Sequence, residues 1–120
     1  MIKDILMVGA GGALGSVVRY LLTLTMAHFA ICSEWAILSA NVVGSFLIGL
    51  LIPLLGNNGL LFMTVGFCGG FTTFSTFSSQ ALHLFQTGER IIAVVYIMAS
   101  VLLSILSVLL GMYIADKIIK

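Results

Sequence analysis

The residues best suited to chemistry lie together, in the run Gly66-Phe67-Cys68-Gly69-Gly70-Phe71-Thr72-Thr73-Phe74-Ser75-Thr76-Phe77-Ser78-Ser79-Gln80. Gly69-Gly70 weakens a helix and can expose backbone carbonyls. Carbonyls at such a break can coordinate a cation such as Na+. Thr72, Thr73, Ser75, Thr76, Ser78 and Ser79 supply hydroxyls. Phe74 and Phe77 stand three residues apart and so share one helix face. An aromatic ring has a positive edge, so phenyl edges can face an anion, although aromatics also fill cores by default. A small anion can pass ring edges and hydroxyls without a fixed positive charge to trap it, and conduction needs binding weak enough to release. The combination of glycines, hydroxyls and phenylalanines points to a pathway more than any one residue does.

Other polar residues are few, and each has two readings. Arg19 lies among Val17, Val18, Tyr20, Leu21 and Leu22. It either snorkels to the interface as a structural cation or draws anions into a vestibule. Asn41, in Ala40-Asn41-Val42-Val43-Gly44, is either hydrogen-bonded glue between helices or a pathway donor. Tyr96, Ser100, Ser104 and Ser107 recur at spacings that make one helical stripe, which is either packing glue or a hydroxyl track. Gly11 and Gly15, like Gly66 and Gly70, have the small-xxx-small spacing that lets membrane helices approach closely.

The elements that must position these groups follow from composition. Of 120 residues, 61% are hydrophobic and 8% charged, against about 25% charged in a soluble domain. Lipid, not water, is the natural solvent for such a chain. Four stretches are long enough to span: Ile5 to Phe29, Trp35 to Leu55, Leu60 to Phe85 and Ile91 to Ile114. The first is too long for a signal-peptide core and has no convincing cleavage site after it, so it is expected to be a membrane helix. Pro53 with Gly56-Asn57-Asn58-Gly59 marks a turn, and Gly88 is placed to cap the third span. The expected architecture is a single four-helix transmembrane domain over residues 1–120, all-α, with the third helix broken near its middle. At membrane depth, unwound backbone is tolerated only where it is buried in protein or lines a cavity.

Charge narrows the function. The net charge is +1 and no basic run exists, so nucleic acid is not an expected partner. Asp4, Glu34, Glu89 and Asp116 all fall at span ends. A proton-coupled exporter needs a buried carboxylate, which argues against that class. Cys32 and Cys68 are far apart and read as small apolar residues. His28 and His83 have no nucleophile or carboxylate at a recognisable spacing, so an enzyme is not expected. Lys3, Lys117 and Lys120 share one side of the membrane, with Arg90 and, if it reaches water, Arg19 on the other. That is a weak positive-inside bias, compatible with insertion both ways. Four helices enclose little, so an oligomer is expected, and an antiparallel pair would place a shared site near the midplane.

These residues resemble the Fluc/CrcB family of fluoride channels along essentially the whole chain. The most specific stretch is Gly69-Gly70-Phe71-Thr72-Thr73-Phe74-Ser75-Thr76-Phe77-Ser78, supported by Gly11-Gly12-Ala13-Leu14-Gly15 with Arg19 and by Asn41 with Gly44. The resemblance implies a dual-topology, antiparallel homodimer in the bacterial plasma membrane. It implies two fluoride pores that passively export fluoride entering acidified cells as HF. It puts pore-facing rings at Phe74 and Phe77, the pore asparagine at Asn41 and the vestibule arginine at Arg19. A polar track falls on Tyr96, Ser100 and Ser104, with Thr76 nearby. A structural Na+ falls on the main-chain carbonyls of Gly69 and Thr72 from both subunits. Many members carry a glutamate three residues after the second pore phenylalanine, where this chain has Gln80, a neutral amide. Some relatives work as paired, oppositely inserted subunits, so a half-functional subunit of a heterodimer is the alternative. A non-transporting assembly subunit would leave the third-span motif unexplained.

Overall fold

A computed structural model describes the protein from Met1 to Lys120. It is helical throughout, with no strand. Helix α1 spans Ile2–His28 and α2 spans Ser33–Leu51. The third span is a composite. It begins as α3 (Asn57–Leu60), widens into a π-helix (Leu61–Cys68), and tightens again as α4 (Gly69–Phe71). It then opens at Thr72 and Thr73 and resumes as α5 (Phe74–Gln86), and α6 (Arg90–Ile119) completes the chain. The four spans are long and apolar enough to cross a membrane. The longest dimension of the molecule, 47 Å, matches the roughly 40–45 Å of a bilayer with its headgroup regions. Only 19 of 120 residues are buried, and long runs of Leu, Ile and Val face outward. Water cannot solvate such a surface, so the protein is a multi-pass integral membrane protein.

The expected spans hold, with two ends displaced by four residues or more. Helix α2 stops at Leu51 rather than Leu55, because Pro53 has no N–H to continue it. The amides of Leu54 and Leu55 both turn back to the Leu51 carbonyl, each at 3.0 Å. Helix α6 runs on to Ile119 rather than Ile114, carried by Ala115, which is fully buried.

Glycines set the closest crossings. Gly11 of α1 lies against Gly66 of the third span, Gly15 against the Phe67 and Phe71 backbone, and Gly70 against Gly12. A Cβ at Gly11 would run into the Phe62 carbonyl oxygen, and one at Gly15 into that of Phe67. Arg19 continues the same stripe one turn later, so this packing delivers it to the third-span break. Helices α2 and α6 cross through a second glycine pair, Gly49 and Gly111, each set against a carbonyl of the other helix. An apolar cluster of Ile37, Leu38, Phe77, Ala81, Leu84, Ala93 and Tyr96 ties α2, α5 and α6 together.

Two helices end in the same reversed turn on different residues. After α5, Gly88 (φ 86°) donates to Phe85 O at 3.2 Å and Glu89 to Leu84 O at 2.9 Å, the Schellman pattern expected for Gly88. After α1, Ala30 (φ 59°) donates to Ala27 O at 3.0 Å and Ile31 to Met26 O at 2.9 Å. A Cβ in this left-handed conformation costs about 1 kcal/mol. Ala30→Gly should therefore raise stability by up to about 1 kcal/mol, and Gly88→Ala should lower it by a similar amount. Denaturant unfolding in detergent, followed by circular dichroism, would check both; an Ala30→Gly midpoint below wild type would contradict the account.

Candidate functional site

The break in the third span falls two residues beyond the glycines that predict it. Gly69 and Gly70 remain helical, while Thr72 (ψ 158°) and Thr73 (φ −152°, ψ 125°) are extended. Side chains explain the shift. Thr72 Oγ1 donates to Cys68 O at 2.8 Å and closes the upstream helix. Thr73 Oγ1 accepts from the Thr76 amide at 3.3 Å and caps α5. Asn41 grips the residue between: the Thr73 amide donates to Asn41 Oδ1 at 2.8 Å, and Asn41 Nδ2 donates to Thr73 O at 3.1 Å. Gly44, one turn after Asn41, leaves room for the Thr72 methyl group, which a Cβ there would strike.

These captures release particular carbonyls. In a continuous helix the Thr73 amide would bond to Gly69 O, and the Thr76 amide to Thr72 O. Both amides are diverted, to Asn41 and to the Thr73 hydroxyl. The Gly70 carbonyl is occupied, accepting from Arg19 Nε at 3.2 Å and Ser16 Oγ at 3.5 Å. The Gly69 and Thr72 carbonyls accept no side-chain hydrogen bond; Gly69 is exposed and Thr72 half-buried. Neutral oxygens freed in pairs at a chain surface suit a hard monovalent cation, so the residues fit the Na+ that the resemblance implies.

Beside the break lies a cavity of about 320 Å³. Asn41 and Ser45 of α2, Thr72 and Thr73 of the break, Phe74 and Phe77 of α5, and Ser100 and Ser104 of α6 face it. The Phe74 and Phe77 rings are 5.5 Å apart at 49°. Phe77 is buried, but Phe74 is 76% exposed and forms an open wall. The lining contains no charged side chain. Ser100 Oγ is buried and has no hydrogen-bond partner, a state that costs about 1–3 kcal/mol unless something in the cavity accepts its proton. Asn41 has a second amide hydrogen beyond the one given to Thr73.

The remaining expected residues sit around this cavity rather than in it. Thr76 touches the break through Thr73 Oγ1, at 3.3 Å. Tyr96 packs its ring on Phe77, with centroids 5.2 Å apart, and donates to Gln80 Oε1 at 2.7 Å. Tyr96 also lines a second cavity, of about 320 Å³, with Glu34, Trp35 and Glu89 at the α2 start and the α5–α6 turn. Arg19 does not line the cavity; it is half-buried and bonded to the Gly70 carbonyl. Sequence reasoning did not single out Ser45 as a lining residue, although it stands one turn after Asn41 and so shares its face. It also did not give Thr73 its capping role, which the Thr73-x-x-Thr76 spacing could have signalled.

The CrcB-like protein, Camphor Resistance (CrcB) family matches residues 6–112. Named relatives match almost end to end. A fluoride-specific ion channel FluC of Elusimicrobium minutum is 43% identical, covering 99% of this chain and 98% of its own. One of Phocaeicola vulgatus is 39% identical over 95% and 99%, and one of Agrobacterium fabrum 43% identical over 91% and 93%. These are channel names, not enzyme names. With four membrane spans, a broken third span and relatives that align along nearly their full length, the chain belongs to the CrcB family.

Proposed function

We propose that this chain is a subunit of a fluoride channel through which cytoplasmic fluoride leaves the cell passively. The observation that carries the reading is the Ser100 hydroxyl, buried and unpartnered in a cavity walled by Phe74 and Phe77 and free of charge. Such a wall offers a small anion donors and ring edges but no fixed cation to hold it. Fluoride sheds water as it meets the spare Asn41 N–H, the Ser100 and Ser104 hydroxyls and the edges of Phe74 and Phe77. Thr76 and Gln80 hold neighbouring groups in place, and Tyr96 stands where this path meets the second cavity. Arg19, fixed to the Gly70 carbonyl, contributes positive potential at the vestibule without lining the path.

Two such chains would insert antiparallel and form a homodimer with two pores. The weak bias of Lys3, Lys117 and Lys120 against Arg90 supports insertion in both directions. The open Phe74 face supports a second subunit that completes the pore wall. Na+ held by the Gly69 and Thr72 carbonyls of both subunits would supply positive charge at the break and join the halves.

The test is efflux from proteoliposomes made with this protein alone, read by a fluoride electrode with chloride run in parallel. Fast fluoride efflux with little chloride efflux is expected, slowed in Ser100→Ala. Silence from well-folded protein would overturn the homodimer and direct the search to a paired, oppositely inserted subunit. Equal efflux of both halides would overturn fluoride selectivity.

A further inference from the structure

A chain of hydrogen bonds runs from Tyr96, the end of the α6 stripe nearest the helix start, to the protein surface. Tyr96 Oη donates to Gln80 Oε1 at 2.7 Å, Gln80 Nε2 donates to Ser33 Oγ at 3.3 Å, and Ser33 Oγ donates to Glu34 Oε2 at 3.4 Å. Three of its four members can work in either direction. A hydroxyl donates or accepts, and an amide presents either end by flipping. An ionised carboxylate only accepts. Ser33 must therefore spend its proton on Glu34 and accept from Gln80. Gln80 must present its nitrogen to Ser33, which leaves its oxygen for Tyr96. The single proton of Tyr96 is thereby committed outward, to Gln80.

We infer that Glu34 is a positioning residue that, through Ser33 and Gln80, keeps the Tyr96 proton turned away from the anion path. The consequence for conduction rests on the fluoride-channel reading above. Ser100 and Ser104 offer donors to an anion in the cavity, whereas Tyr96 offers only oxygen lone pairs at the next position of the stripe. An anion leaving the serines thus meets no new trap, and release stays fast. With Glu34 neutral, Gln80 can flip, Tyr96 can turn its proton inward, and the path gains a donor that holds fluoride.

The expected result for Glu34→Gln is tighter but slower transport. The half-saturating fluoride concentration should fall about tenfold or more and maximal efflux should fall with it, the worth of roughly one hydrogen bond to an anion. Removing a negative charge near the path would also favour fluoride by plain electrostatics, and Tyr96→Phe separates the two. In the Tyr96→Phe background the relay effect vanishes, while an electrostatic effect persists and would overturn the inference. Gln80→Glu should likewise make the channel indifferent to Glu34→Gln, because a carboxylate at position 80 accepts from Tyr96 unaided.

A second readout needs no transport. The intensity ratio of the tyrosine Fermi doublet in the Raman spectrum is low for a phenol that donates strongly and higher for one that accepts. The chain has three tyrosines, so Tyr20→Phe with Tyr113→Phe leaves Tyr96 as the sole reporter. A low ratio that rises in Glu34→Gln and in Ser33→Ala supports the relay; an unchanged ratio in both overturns it. If the ratio responds but wild-type protein carries no fluoride, the relay stands and the channel reading falls.

Discussion

Phe74→Ile is expected to lower fluoride efflux by about thirtyfold or more while leaving the subunit folded. The ring quadrupole that attracts a desolvated cation to its face by about 2 kcal/mol is available, with opposite sign, to an anion at the ring edge. Losing an interaction of that size raises a barrier enough to slow flux roughly thirtyfold. Isoleucine keeps the bulk and apolarity but has no quadrupole. Phe74 is 76% exposed in the single chain, so the substitution removes almost no packing within it. Phe77→Ile should slow flux as much, but Phe77 also belongs to the α2–α5–α6 cluster and packs on Tyr96. That variant carries an additional folding cost of about 1–2 kcal/mol. Phe74→Tyr retains a ring edge and should retain most of the flux. Efflux rates, normalised to dimer recovered by size exclusion, would check the series. Wild-type rates in both isoleucine variants would remove ring edges from the mechanism.

The four spans were legible because nothing else explains so many apolar residues with so few charges. The Gly11/Gly15 and Gly66/Gly70 spacings signalled close helix approach, although not that the first and third spans would pair. Gly88 named its own cap, since a turn there needs positive φ. Ala30 adopts the same turn with no such signal, because its backbone is held by two hydrogen bonds to α1 rather than by its own preference. The break was legible in kind but not in place. Gly69-Gly70 marks a weak helix, yet the opening falls at Thr72-Thr73, where one hydroxyl, one cap and an amide from another helix agree. That partner stands 32 residues away in sequence, and no local pattern announces it. The link of Tyr96 to Gln80, and from there to Ser33 and Glu34, was invisible for the same reason: Tyr96 and Gln80 each stood out, but nothing local joins them until α2, α5 and α6 come together.

Asn41 separates a structural role from a pathway role most sharply. It lines the cavity, as a pore residue should, but its carbonyl oxygen and one amide hydrogen are already given to Thr73. Asn41→Leu keeps the volume and removes both bonds. The Thr73 amide is then unpaired at membrane depth, at about 1–3 kcal/mol, while the Thr73 carbonyl, at the N-cap of α5, keeps the first bond of that helix. The backbone has one escape: the Thr73 amide can return to the Gly69 carbonyl and straighten the third span. Either outcome damages the site, because an unpaired break is unstable and a straightened one no longer frees the Gly69 oxygen. Asn41→Leu should therefore lose roughly 1–3 kcal/mol of stability or its broken third span, together with most efflux. Asn41→Ala should fall further still, by the cost of the cavity it leaves. Were Asn41 only a donor on the path, Asn41→Leu would silence flux yet unfold at the wild-type denaturant concentration. The unfolding midpoint together with the Thr72–Thr73 backbone conformation by solid-state NMR, not the flux, thus decides: a wild-type midpoint with Thr72 and Thr73 still extended would show that the break holds itself open without its clamp.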